Sequence, residues 1–241
     1  MSASTAIAIS ALVAAASIVG ALELRSRDNV VAIGFWFEDV TFEVHDPVRL
    51  GGPLTADEQQ RIQSVARQEI EHAFADFRIQ VTDRRDAFYR VRVRQALTVY
   101  NRYAAAGQSN VFGPLGGYGA VSFITLAAQA MAHAPAGGSR ADVVDAIGRG
   151  LGRAAVHEFA HQILPKGPMH TTDDPASYEY WSSNREAQYY GEMHWSVAQP
   201  KLRERLSRRY SGTQASDTRG KRSVNENVVP WPTVLVTDSS D

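Results

Sequence analysis

The stretch "RADVVDAIGRGLGRAAVHEFAHQIL", residues 140–164, constrains this chain more than any other. Ser139 stands where a helix cap belongs. Val143, Ile147, Leu151, Ala155, Phe159 and Ile163 then recur every four residues and make one apolar ridge. The helix must stop near Leu164, because the residue before Pro165 disfavours helical backbone. Gly148, Gly150 and Gly152 sit inside it, and each weakens a helix by about 1 kcal/mol against alanine. A close-packed neighbour would explain them, though the sequence identifies none.

The other elements follow from shorter signals. "NVVAIGFWFEDVTFEV" (29–44) is rich in β-branched and aromatic residues and reads as one or two strands. Thr55 followed by Glu58 is a capping-box pattern. It opens an amphipathic helix whose apolar positions are Ile62, Val65, Ile70, Ala73, Phe74 and Phe77. "RIQVTD" (78–83) and "AFYRVRVRQALTVY" (87–100) read as strands, the second alternating strictly at Tyr89, Val91 and Val93. Residues 107–125 are glycine-rich, which lets another backbone come close, and end in a strand-like run. A short apolar piece, "LAAQAMAHA", follows. Residues 165–195 read as irregular, and a helix is expected at least from Pro200. "SGTQASDTRGKRSVNEN" reads as mobile, with "VVPWPTVLV" as a final extended piece that docks.

The chain has no cysteine, so any metal must be held by nitrogen or oxygen. Its net charge of −1 gives no global field favouring nucleic acid, and no nucleic-acid partner is expected. Residues 6–22 are small and apolar apart from Ser10, Ser17 and Gly20. We read residues 1–21 as a signal peptide cleaved after Val19-Gly20-Ala21. No Lys or Arg precedes the apolar run, so an uncleaved membrane anchor is the alternative. The expected location is secreted, periplasmic or cell-envelope. A domain at 22–212 and a C-terminal extension at 213–241 complete the division.

His157 and His161 lie four apart on the long helix, so both imidazoles share one face, a turn apart. Such a pair can bind one zinc ion. Glu158 stands beside the first histidine, where its carboxylate can take a proton from water at the metal without being a ligand. This is the His-Glu-x-x-His arrangement. A catalytic zinc needs a third protein ligand and an open position. His170 is the first candidate: Pro165 ends the helix, and a left-handed Gly167 would turn the chain back. Asp173, Asp174, Glu179 and Glu186 follow at usable distance and stay open as carboxylate alternatives. His45, His72 and His133 read as ordinary surface or satisfied histidines.

The order of these residues resembles the metzincin zinc endopeptidases, whose pattern is His-Glu-x-x-His-x-x-Gly-x-x-His. Gly167-Pro168-Met169-His170 matches its last part, although five residues rather than two separate His161 from Gly167. "YYGEMHW" (189–195) is similar to the methionine turn of the astacins. The resemblance implies Met193 as an apolar floor under the histidines. Trp195 stands where astacins carry a tyrosine, and it cannot ligate. Tyr190, or Tyr189, would then serve the oxyanion.

The resemblance also implies an α+β, two-lobed fold. It would hold a mixed twisted sheet, a long amphipathic helix and an active-site helix, above a small irregular lobe with a C-terminal helix. A protein or peptide substrate would pair with an edge strand, for which Gly116–Phe123, centred on Gly117, Tyr118, Gly119 and Ala120, is the candidate. The function so implied is zinc-dependent hydrolysis of peptide bonds. A site with a carboxylate ligand would resemble the gluzincins through Glu186 or the aspzincins through Asp173 or Asp174. A zinc-stabilised peptide-binding protein without activity is the other class, and a basic interaction helix at 201–209 a third.

Overall fold

The structure, a computed structural model, describes residues 30–99, 103–112 and 116–207. The export segment at 1–21, the extension at 213–241 and the docking piece within it lie outside the described residues. Among the described residues the architecture is mixed α/β, with one five-stranded mixed sheet and four helices.

The strands are β1 (Val31–Phe37), β2 (Ile79–Thr82), β3 (Tyr89–Arg94), β6 (Gly107–Val111) and β7 (Gly117–Ser122), in the order β2-β1-β3-β7-β6. Two short strands, β4 (Thr98–Val99) and β5 (Tyr103–Ala104), form a separate antiparallel pair. β1, β2, β3 and β7 are parallel neighbours, while β6 pairs with β7 antiparallel. The alternation in β3 has a direct outcome. Tyr89, Val91 and Val93 are buried in the main core, and Arg90, Arg92 and Arg94 take the other face. On that outer face Arg92 pairs with Glu38 and lies over the Tyr118 ring.

Two expectations shift at the sequence ends of this sheet. The 29–44 segment makes one strand, not two. After Phe37 the chain leaves the sheet through Asp39 and Phe42, both with positive φ, at 52° and 59°. Phe42 then stacks on Phe37 and meets Phe123 edge-on, which serves the core better than a second strand. Likewise 87–100 is interrupted after Arg94, and its last part joins the small hairpin.

The helices are α1 (Ala56–Ala73), α2 (Phe123–Ala132), α3 (Arg140–Ile163) and α4 (Gln199–Ser207). α1 and α3 each begin with a full capping box, Thr55 with Glu58 and Ser139 with Asp142. All six apolar positions read in the first helical segment are buried, as is the whole ridge of α3. α1 and α3 run side by side in the same direction, joined by the ion pairs Glu58–Arg140, Asp145–Arg61 and Glu69–Arg153. The apolar piece at 126–134 belongs to α2, capped by Ser122.

The glycines of α3 find their neighbours. Residues two apart on a helix point about 200° apart, so Gly148 and Gly152 share one face and Gly150 takes the opposite one. A Cβ on Gly152 would lie 2.4 Å from the Ala66 carbonyl oxygen of α1, and one on Gly148 would lie 2.7 Å from Val65 Cβ. A Cβ on Gly150 would meet the fully buried Tyr189 ring at 2.4 Å.

Two outcomes follow. Gly152→Ala should destabilise the protein by about 1–3 kcal/mol in urea unfolding, although alanine is the better helix former, because overpacking outweighs propensity. Glu58→Gln should lose about 1–2 kcal/mol at pH 7. The Arg140 guanidinium hydrogen-bonded to Glu58 holds its carboxyl down from 4.5 to about 2. A depressed carboxyl stabilises the fold above its unfolded value and stops doing so as pH falls through its folded value. The difference between wild type and Glu58→Gln should therefore shrink from pH 4.5 towards pH 2 in acid unfolding series.

Candidate metal centre

The last two turns of α3 bring His157, Glu158, His161 and Gln162 together. Beyond them Leu164 ends the helix, and the Gly167 N–H donates to the Leu164 carbonyl at 2.8 Å. Gly167 is required for closeness rather than for handedness. Its φ is not positive, but a Cβ there would lie 2.5 Å from Leu164 Cβ. The left-handed residue of this loop is His170 itself, with φ 65°. Its N–H donates to the Glu179 carbonyl at 2.8 Å, and this bond holds the unusual backbone in place.

The three histidines converge through their Nε2 atoms. His157 lies 2.9 Å from His170 and 3.0 Å from His161, and His161 lies 3.3 Å from His170. These atoms form a group that could hold a metal ion. A tetrahedral ion with metal–nitrogen bonds of about 2.0–2.1 Å spaces its nitrogens about 3.3–3.4 Å apart, so a small outward adjustment suffices. His157 Nδ1 donates to the Tyr178 carbonyl at 2.7 Å. With its proton on Nδ1, His157 keeps the Nε2 lone pair for a metal. Burial, then the neighbouring imidazoles, hold His157 well below the ordinary histidine range. Burial and His170 push His161 down to about 3, and burial also lowers His170. Neutral imidazoles are the ligating form.

A cleft of about 260 Å³ opens beside them. Its walls are Ser109 and Val111 of β6, Glu158, His161 and His170, and the loop residues Leu164 to Gly167 with Met169. The glycine-rich segment explains how Glu158 comes to lie here. A Cβ on Gly107 would lie 2.3 Å from Glu158 Oε1, so β6 makes room for this carboxylate. The Ser109 hydroxyl donates to the Glu158 carbonyl at 3.0 Å. Gly117 and Gly119 make similar room for Gln162, whose side-chain amide exchanges two hydrogen bonds of 3.0 Å with the Arg90 backbone.

The carboxylate alternatives are engaged elsewhere. Asp174 pairs with His194 at 2.8 Å. Glu179 is buried, accepting from the backbone N–H groups of Ser196 and Ala198 and from the Ser177 hydroxyl. Asp173 and Glu186 are exposed and stand outside the cluster. His45 and His72 are exposed, and His133 bonds Asn184.

Two expected positions need correction. Gly117, Tyr118, Gly119 and Ala120 belong to β7, which is hydrogen-bonded to β3 on one side and β6 on the other. Its backbone is occupied on both sides, so it cannot take a further strand. The edge of the sheet beside the cleft is β6. Tyr190 is not at the histidines either. Its hydroxyl donates to the Ala130 carbonyl at 2.9 Å and its ring faces Arg149, about 12 Å along α3 from His157. The Tyr189 hydroxyl is likewise given to Gln129.

Met193 is buried in the main core with Tyr178. Its neighbour His194 pairs with Ser177 and accepts from the Tyr178 N–H, so this turn supports the carbonyl that orients His157. Trp195 donates to the Ala73 carbonyl at the end of α1 and packs on Phe74 and Tyr178. Sequence reasoning missed Gln162, Ser109 and the Tyr178 carbonyl. The i, i+4 spacing of Gln162 from Glu158 was a usable signal, whereas a backbone carbonyl leaves none.

No family model, curated protein or solved structure matches the chain.

With zinc as the probe ion, we expect one ion per chain in equilibrium titration. His170→Ala should weaken binding by more than about a hundredfold, and Asp174→Asn should leave it unchanged.

Proposed function

We propose that this chain is a zinc-dependent endopeptidase, with His157, His161 and His170 as metal ligands and Glu158 as general base. The observation that carries the reading is the convergence of three Nε2 atoms beside a cleft that Glu158, His161 and His170 line. A site of three nitrogens leaves a coordination position open, whereas a purely structural zinc is closed by a fourth protein ligand. Imidazole donors suit zinc along with other transition metals, and the hydrogen bond from His157 to the Tyr178 carbonyl is the kind that zinc-binding histidines make.

The arrangement of elements also supports a two-lobed, metzincin-like reading. The sheet and its helices lie on one side of the histidines in sequence, and the irregular segment with α4 follows them. The three-residue departure from the family spacing is taken up by the 164–170 loop.

Bound here, zinc would polarise the scissile carbonyl and acidify the attacking water. The chain's own residues do the rest. An extended peptide lies along β6, whose second edge is unpaired among the described residues. Glu158 takes the proton of the attacking water and returns it to the leaving amine nitrogen. Gly107 leaves the space in which that carboxylate stands. Gln162, clamped to the Arg90 backbone, keeps this turn of α3 fixed against the sheet. The export segment read in residues 1–21 would place the activity in the cell envelope or outside the cell.

The test compares zinc-loaded wild type with Glu158→Gln on denatured protein and peptide mixtures. We expect cleavage that a chelator stops. Glu158→Gln should keep its zinc and lose about 10²–10⁴-fold in rate. Equal rates for the two proteins would remove the general base from the mechanism.

A further inference from the structure

We infer that the loop after α3 selects substrates with an acidic side chain next to the scissile bond, through Lys166. This rests on the peptidase reading above. The cleft lies directly against His161 and His170, so a residue flanking the cut bond is the part of a peptide that enters it. Its walls are apolar at Val111, Leu164, Pro165 and Met169. Among the lining residues the carboxylate is Glu158 and the primary amine is Lys166. Glu158 is buried at the metal end, whereas Lys166 is exposed on the loop.

The position of Lys166 is a consequence of the loop's length. Pro165 ends the helix and Gly167 folds the chain back onto Leu164, so Lys166 sits at the apex of this tight turn, on the cleft. It lies within the five residues that separate His161 from Gly167, where the metzincin pattern has two. An acidic side chain held against the loop is drawn to the exposed Lys166, apart from the buried Glu158, and a basic one there is repelled.

An ion pair of this exposure changes kcat/KM by about fivefold. The experiment digests a random peptide mixture with zinc-loaded wild type, Lys166→Met and Lys166→Glu, and reads the residues flanking each cut. A parallel measurement uses zinc-loaded Glu158→Gln with and without Lys166→Glu. It records the affinity for a fluorescent peptide carrying aspartate and for its lysine counterpart.

We expect Asp and Glu to be enriched at one flanking position by wild type, the preference to vanish in Lys166→Met, and basic residues to be enriched by Lys166→Glu. Cutting with a preference that ignores these substitutions would overturn the inference and leave the peptidase reading intact. If wild type cuts nothing, the binding arm decides. Tighter binding of the aspartate peptide that reverses with Lys166→Glu keeps the selectivity and removes the peptidase, and equal affinities remove both.

Discussion

The close approach of α3 to its neighbours is the constraint on which the rest of the structure depends. Glycines make it possible on both sides. Gly148 and Gly152 let α3 settle against α1, and Gly107, Gly117 and Gly119 let the sheet receive the side chains of its last turns. Each glycine removes helix or strand propensity, and the local loss is offset by packing that no larger residue would allow. Because α3 is fixed from two directions, His157 and His161 are carried on a rigid element, which is what a precise metal site requires.

A helix buried this deeply must satisfy its polar groups inside the protein. His157, Glu158, Gln162 and Arg153 are each less than a tenth exposed. Leaving such groups without partners would cost a few kcal/mol each. Arg153 answers with Glu69 of α1 and with the carbonyls of Ala187 and Gly191. Gln162 answers with the Arg90 backbone, and His157 with the Tyr178 carbonyl. The same bonds that satisfy α3 therefore pull the irregular 178–191 segment onto it. The polar side of this helix organises the segment between α3 and α4, which has few regular elements of its own.

Much of this was legible in the sequence, for reasons that differ by residue. The ridge of α3, the capping box at Thr55, the cap at Ser139 and the alternation of β3 are local signals, and each formed the expected element. The unusual glycine spacing announced a close neighbour without naming it. Strand order is a different kind of fact. Length does not separate the inner strand β7 from the edge strand β6, which are six and five residues long, and each opens with a glycine. The edge is decided by which strand pairs with β3, a non-local choice. The oxyanion role expected of Tyr190 failed similarly, since a tyrosine near a methionine turn can face either end of the long helix.

The third histidine shows how sequence spacing and backbone conformation share one task. With five residues between His161 and Gly167, the chain runs further past the helix end than a two-residue spacer would carry it. Gly167 shortens the return by packing against Leu164. The remaining change of direction falls on His170, at φ 65°. A non-glycine residue there carries roughly 1–2 kcal/mol of strain, which the surroundings must over-determine. The backbone bond to Glu179 supplies part of that, and Glu179 is itself pinned by Ser196 and Ala198 ahead of α4. A ligand held this way links the order of its loop to the α4 end of the chain. Any ion bound by all three histidines would draw on that link, because metal binding and loop order then share one free energy.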